Sequence, residues 1–233
     1  MSIFQALLPK AVFYKCHIFT LLAVSVIWQS PGLMADERDN EGWRELFNGR
    51  DLSGWKANVA PESFSVHDGA IKAHGKTAMS HLFFIGHQQP FEAFKDFEIE
   101  LVARGKPNSN SGLFIHTGYD LRRKKYLAKG YEVQLNSTEK EKRKTGSLYA
   151  VADLDQSPVD ETEWFTVRVR VEGKQIRVWL NDKLVNDYTE PESPIRAPDR
   201  AHRLIDPEGG AIALQAHDPQ SVFYFRSIRI REL

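Results

Sequence analysis

Cysteine is nearly absent from this 233-residue chain: Cys16 is the only one. A single thiol excludes an internal disulfide framework and any Cys-based zinc cluster. Charge of one sign is also lacking, since 31 Lys and Arg balance 31 Asp and Glu. That balance excludes the electrostatic footprint of a nucleic-acid binder or of a protein held on an anionic membrane surface. No P-loop, no Gly-x-Ser-x-Gly elbow and no His/Cys metal spacing is present. Long apolar runs are missing too. The longest, "IFTLLAVSVIW" (Ile18 to Trp28), has eleven residues, against the ~20 needed to span a bilayer.

What that run does fit is a secretory leader. Lys10 and Lys15 are the only charges before Asp36, the apolar run follows them, and Ala35 offers a small residue for cleavage. This order predicts a signal peptide over residues 1–35 and an exported, periplasmic or secreted, mature chain. Cutting 35 of 233 residues leaves 198, with 29 Lys and Arg against 31 Asp and Glu, and removes Cys16. The mature protein would then be held by one hydrophobic core, for which that length suffices. It would have no membrane span of its own.

Helical periodicity is scarce. Instead, short runs with period-2 alternation recur, among them "SFSVHDGAIKAHG", "FKDFEIELVARG", "SGLFIHTG", "GYEVQLN", "GGAIALQAHD" and "SVFYFRSIRIREL". Asp68-Gly69 sits at the centre of one hairpin, and Phe165 to Tyr188 reads as a three-stranded meander. Many strands without helical spacers predict an all-β, two-sheet antiparallel jelly-roll sandwich in a single domain over residues 36–233. "TEPESPIRAPDRAHRLIDPEGG" (Thr189 to Gly210), with four prolines, is the one long irregular insertion. Long loops of this kind are often functional.

The strand "GYEVQLN" poses the functional question. Tyr131, Val133 and Leu135 would face one way, and Glu132 and Gln134 the other. Such a polar pair is either ordinary solvated surface or the floor of a site. Three neighbouring segments offer partners. His116 would share a face with Phe114, Gln215 would share one with His217, and Tyr149 lies in "SLYA". These side chains donate and accept hydrogen bonds or exchange protons near neutral pH. Glu98 and Glu100 alternate with Phe97, Ile99 and Leu101 and read as solvated positions. The basic runs Leu121 to Lys125 and Lys140 to Lys144 read as solvated loops. Trp55, Trp164 and Trp179 read as core or structural positions rather than exposed stacking platforms. Scattered Asp and Asn residues leave room for a loop-bound divalent cation but specify no cofactor. Nothing in the sequence sets an oligomeric state.

Several segments, in order, resemble the 3-keto-disaccharide hydrolase domain family. They are "ELFNGRDLSGW" (Glu45 to Trp55), "SFSVHDGAI", "DFEIELVAR", "NSGLFIHTG", "GYEVQLN", "TGSLYA", the meander, and "GAIALQAHDPQSVFYFRSIRIREL". The resemblance implies a concanavalin-like or laminin-G-like jelly roll with a carbohydrate site on a concave face and a small-molecule glycoside as partner. It implies catalytic roles for Glu132, His217, His116 and Tyr149, with Gln134 and Gln215 binding substrate.

The chemistry implied is cleavage of 3-keto-glycosides. A C3 ketone acidifies the C2 proton, so the C1 substituent can leave by elimination and water can then add. Such a route needs a base, a donor for the enolate oxygen and an acid for the leaving group. An ordinary glycosidase needs two carboxylates instead, and the strand pattern offers one, Glu132. A noncatalytic carbohydrate-binding module or lectin shares this fold class. Convergence of Glu132, His116 and His217 in one pocket would favour the enzyme, and scattered positions the binder. A scaffold in an envelope complex would show a broad apolar surface patch instead.

Overall fold

The computed structural model describes residues 41–76, 79–86, 91–119 and 126–233. The segment expected to be a leader, Cys16 and the basic run Leu121 to Lys125 lie outside these residues.

Thirteen strands form, and no α-helix occurs among the described residues. In chain order they are β1 (Arg44–Glu45), β2 (Trp55–Ala57), β3 (Phe64–His67), β4 (Ala70–His74), β5 (Ser80–Phe84), β6 (Phe97–Gly105) and β7 (Asn110–Thr117). Then come β8 (Tyr131–Asn136), β9 (Phe165–Glu172), β10 (Gln175–Leu180), β11 (Lys183–Thr189), β12 (Ala211–Ala216) and β13 (Val222–Glu232). They build two antiparallel sheets. The larger runs β11-β10-β9-β6-β13-β4-β3 with β1 on β13, and the smaller runs β2-β5-β12-β7-β8. The jelly-roll sandwich expected from the alternation is the fold.

Local chemistry explains the turns. Asp68 and Gly69 both take positive φ, 49° and 72°, the conformation a two-residue hairpin needs to match the right-handed strand twist. Asn181 and Asp182 do the same at 46° and 63° between β10 and β11. Between the sheets, the inward faces interdigitate. Val167, Val169 and Val171 of β9 meet Val133 and Leu135 of β8 in one fully buried cluster. Each such aliphatic side chain contributes roughly 1.5–3 kcal/mol through burial.

The outer faces differ, and this difference creates the site. On the large sheet the outer residues of β9, Thr166, Arg168 and Arg170, stay partly exposed. On the small sheet β8 and β12 are buried on both faces. A second cluster covers this outer face, with Phe83, Phe114, Leu127, Ala211 and Ala213. Over it folds the Thr189–Gly210 insertion, a strap that crosses from β11 to β12.

Three expectations change here. Glu98 is not solvated: it is 3% exposed and pairs with Arg231 at 3.0 Å, Arg168 at 3.5 Å and Arg170 at 3.6 Å. Its outward direction was right, but long arginines on neighbouring strands close over it. Glu100 pairs with Arg229 at 2.6 Å. The Lys140–Lys144 run is not solvated throughout either, because Glu141 and Arg143 pack around Tyr149. Of the tryptophans, Trp55 is buried and donates its Nε1–H to Leu46 O at 2.7 Å. Trp164 and Trp179 lie on the large sheet's outer face, each covered by an arginine guanidinium.

Candidate active site

Glu132, on β8, points away from the inter-sheet core toward the strap. Directly beside it in the sheet are Phe114 of β7 and, two residues further along on the same face, Gly112 opposite Gln134. Gly112 leaves a gap in the outer face. A Cβ at that position would stand 2.9 Å from Glu132 Oε1 and 3.1 Å from its Cγ. Through this gap the carboxylate reaches Gln215 of β12, whose Nε2 donates to Oε1 at 3.4 Å. Gln134 donates from Nε2 to Asn110 Oδ1 at 3.2 Å. The Oε1 atoms of Gln134 and Gln215 are buried with no partner among the described residues. Buried acceptors without donors are costly, and a ligand hydroxyl would satisfy them.

Glu132 is 6% exposed. Burial raises its pKa to about 7, against the opposing pull of Arg203, Arg200 and the Gln215 hydrogen bond. A carboxyl of that kind can hold or release a proton near neutrality, as a general acid or base must.

His217 follows β12 directly. Its Nδ1 lies 2.6 Å from Asp218 Oδ2. Burial pushes the Asp218 carboxyl up, but hydrogen bonds from His217, Gln220 and Ser221 outweigh it and hold the group below its usual value. The ionised carboxylate can only accept, so Nδ1 carries the proton and Nε2 is left as the free basic nitrogen.

Tyr149 donates its hydroxyl to Glu141 Oε2 at 3.0 Å, and burial together with that carboxylate raises its pKa. The phenol therefore keeps its proton at neutral pH.

These groups surround one cleft of about 150 Å3, lined by Glu132, Gln134, Gln215, His217, Tyr149 and Glu141, with Asn110, Met79, Tyr126 and Arg200 completing it. Five of the six residues singled out in the sequence meet there. His116 does not. One extra residue on β7 between the pairs Phe114–Ala213 and Thr117–Ala211 makes a bulge, and His116 adopts a positive φ of 50°. The bulge ends the alternation, so His116 leaves the face it would have shared with Phe114. Its ring stacks on core Phe97 at 5.9 Å. Nε2 donates to Lys95 O at 2.9 Å, and Nδ1 accepts from the Asp206 N–H at 3.3 Å. Burial lowers its pKa, consistent with a neutral ring. Its place is structural, tying the end of the strap to the sheet.

Four charged groups in or beside the cleft escaped sequence reasoning. Arg200 and Arg203 come from the strap, Glu141 from the charged loop after β8, and Asp218 from the residue beside His217. Only Asp218 left a local signal, as a carboxylate adjacent to a candidate base. Among the described residues no cluster of three His, Cys, Asp or Glu side chains is placed to hold a metal ion.

Residues 42–231 match the model of the 3-keto-alpha-glucoside-1,2-lyase-like domain. The chain belongs to that family. No match was found among curated proteins. Among solved structures, the lyase-like domain is similar to a Parabacteroides distasonis ATCC 8503 protein provisionally assigned as a glycosyl hydrolase. The two share 23% identity and a TM-score of 0.64, over 83% of this chain and 94% of the other. The carbohydrate-binding module CBM66 of Bacillus subtilis matches at 14% identity and a TM-score of 0.54, over 77% and 96% of the two chains. A Bacillus subtilis protein with a galectin-like fold matches at 14% identity and 0.52, over 78% and 90%. At these identities the structural likenesses establish the sandwich fold of the lyase-like domain.

Proposed function

We propose that the protein is an exported enzyme that cleaves 3-keto-glycosides at C1 by elimination and hydration. The observation that carries this reading is the cleft itself. It joins a carboxyl poised near neutrality, Glu132, to a His–carboxylate pair, His217–Asp218, beside two unfilled amide acceptors. Glu132 takes the C2 proton, and the C2–H electrons move into an enolate with C3. The enolate electrons then form the C1–C2 double bond as the C1–O bond breaks. In this step His217 acts from its doubly protonated form and gives the Nε2 proton to the leaving oxygen, becoming the neutral ring with Nε2 free and Nδ1–H held by Asp218. Water adds to C1, losing a proton to His217, while the Glu132 carboxyl, its proton exchanged with solvent after the first half-reaction, protonates C2.

The other lining residues have fitting roles. Arg200 is held by stacking on Tyr126 at 4.4 Å and Tyr149 at 5.5 Å. Its Nε is buried and has no partner among the described residues, and its charge suits the developing enolate oxygen. Gln134 and Gln215 accept from ring hydroxyls. Glu141 brings a second carboxylate to the cleft wall, which the strand pattern did not suggest. It accepts from the Tyr149 hydroxyl and from the Arg143 N–H, each at 3.0 Å, shorter contacts than the 3.3 and 3.4 Å ones that Glu132 receives.

The decisive assay offers purified protein a 3-keto-α-glucoside and its unoxidised parent in D2O. Release of the aglycone from the keto sugar alone, with deuterium at C2 of the product, is expected. Cleavage of the unoxidised sugar without deuterium at C2 would overturn the elimination route. A noncatalytic binding module is the second reading, favoured by the sandwich shared with CBM66. Binding without turnover of either sugar would establish it. Export is tested by intact mass, which should place the mature start near Asp36; a full-length chain retained in the membrane would refute the leader.

A further inference from the structure

We propose that Arg203 is a positioning residue, delivered by the strap to fix the orientation and charge of Glu132. This rests on the reading of Glu132 as the proton-transferring group. Arg203 is 1% exposed, and a guanidinium is almost never buried without a specific partner. Its Nη2 lies 3.3 Å from Glu132 Oε2, and its Nη1 donates to Gly130 O at 3.4 Å. Its guanidinium carbon sits 5.4 Å from the centre of the Phe114 ring, the side chain beside Glu132 in the sheet. Arg203 therefore meets β8 at Glu132, the residue just before β8 at Gly130, and β7 at Phe114.

The strap is moored so that this contact is reproducible. Glu190, at its start, accepts from the Tyr131 hydroxyl at 2.5 Å and from the Ile205 N–H at 2.8 Å. Arg196 donates from Nε to Arg203 O at 3.1 Å, and from Nη2 to the hydroxyls of Tyr131 at 3.0 Å and Tyr188 at 2.6 Å. At the far end His116 holds Asp206. Tyr131 is the strand neighbour of Glu132 and points to the opposite face. The same two-residue step of β8 thus anchors the strap on one side and receives its arginine on the other.

The charged and titratable groups facing Glu132 come from four directions, one of them the segment before β8, which brings Tyr126 to the cleft. Arg203 and Arg200 belong to the strap, Glu141 and Tyr149 to the loop after β8, and His217 to the end of β12. Burial opposes ionisation of Glu132, and Arg203 is the largest influence favouring it. An opposite charge at this range lowers a carboxyl pKa by roughly 1–3. Without it, starting from about 7, the ionised fraction at pH 7 would fall about 5-fold for a rise of one and about 50-fold for a rise of two.

The test is a carboxyl-carbon NMR titration of purified protein labelled with 13C-glutamate, with Glu132→Gln identifying the Glu132 signal. The variants are Arg203→Met, Arg203→Lys and Arg196→Met. The proposal expects the Glu132 midpoint to rise clearly in Arg203→Met and partly in Arg196→Met. Arg203→Lys should recover most of the midpoint. On a 3-keto-α-glucoside, kcat of Arg203→Met at pH 7 should fall about 5–50-fold with KM little changed, and recover as pH rises. A folded Arg203→Met with wild-type midpoint and wild-type rate overturns the proposal. If Arg203→Met does not fold, unmoved midpoints in both other variants overturn it instead. Should the wild type turn over no keto sugar, the titration still decides the role of Arg203, while the catalytic reading alone fails.

Discussion

The carboxylate of Glu132 lies across the gap left by Gly112, where a Cβ would come within 2.9 Å of Oε1. Gly112 has an ordinary strand backbone, so its role is space rather than conformation. Gly112→Ala should push Glu132 off Gln215, with a stability loss of about 1–3 kcal/mol typical of overpacking. A fall in kcat of at least about tenfold is expected, in line with the sensitivity of catalysis to small misplacements. Kinetics and a thermal melt on the same sample check both. An unchanged rate would show that the Glu132–Gln215 contact is dispensable.

Glu132→Gln keeps the shape and removes the ionisable group. Its kcat should fall by ~10²–10⁴, as for loss of a general acid–base, while sugar binding persists. Isothermal titration beside turnover assays separates the two effects.

The same variant has a pH signature in stability. The folded pKa of Glu132, about 7, stands above the ordinary carboxyl value of 4.5. The folded state therefore binds a proton that the unfolded state has lost. The associated stability is fully present below about pH 4.5 and disappears as pH rises to about 7. The difference is on the order of 3 kcal/mol. Chemical denaturation at pH 5 and pH 8 should show wild type losing stability relative to Glu132→Gln as pH increases. Parallel curves would contradict the raised pKa.

Asp218→Asn tests the pair behind His217. The amide can donate to Nδ1 and favour the wrong tautomer, leaving Nε2 without its lone pair. A drop in kcat of about 10²-fold or more is expected, with KM changed less. Equal kinetics for wild type and variant would remove His217 from the proton transfers.

Glu98→Gln provides the contrast on the other sheet. It strips the counter-charge from Arg168, Arg170 and Arg231, and a buried charged partner of this kind is worth about 1–3 kcal/mol. Stability should fall while kcat on a keto sugar stays within about twofold. A melt and a rate measurement suffice, and a large kcat loss would place the outer face of the large sheet in the mechanism.

Much of this architecture is legible in the sequence because it is written locally. Alternation in β6, β9 and β13 names the inward face, and Asp68-Gly69 and Asn181-Asp182 name two turns through their tolerance of positive φ. The same period-2 rule puts Glu132, Gln134 and Gln215 on the outer side of the small sheet. Local pattern also marked Thr189–Gly210 as the unusual segment. It failed at His116, since one inserted residue in β7 inverts the direction of everything after it.

The rest was decided by contacts between residues far apart in the chain. Nothing near Glu132 announces that Arg203, 71 positions away, will cover it, or that Gln215, 83 away, will reach it across Gly112. The outer face of β8 is dry because a strap lands on it, and the outer face of β9 is wetter because none does. Alternation fixes which way a side chain points; only the packing of the strap over the sheet determines whether that direction leads to water, to an ion pair or to a cleft. The raised pKa of Glu132 is a consequence of that packing, since burial is its largest cause.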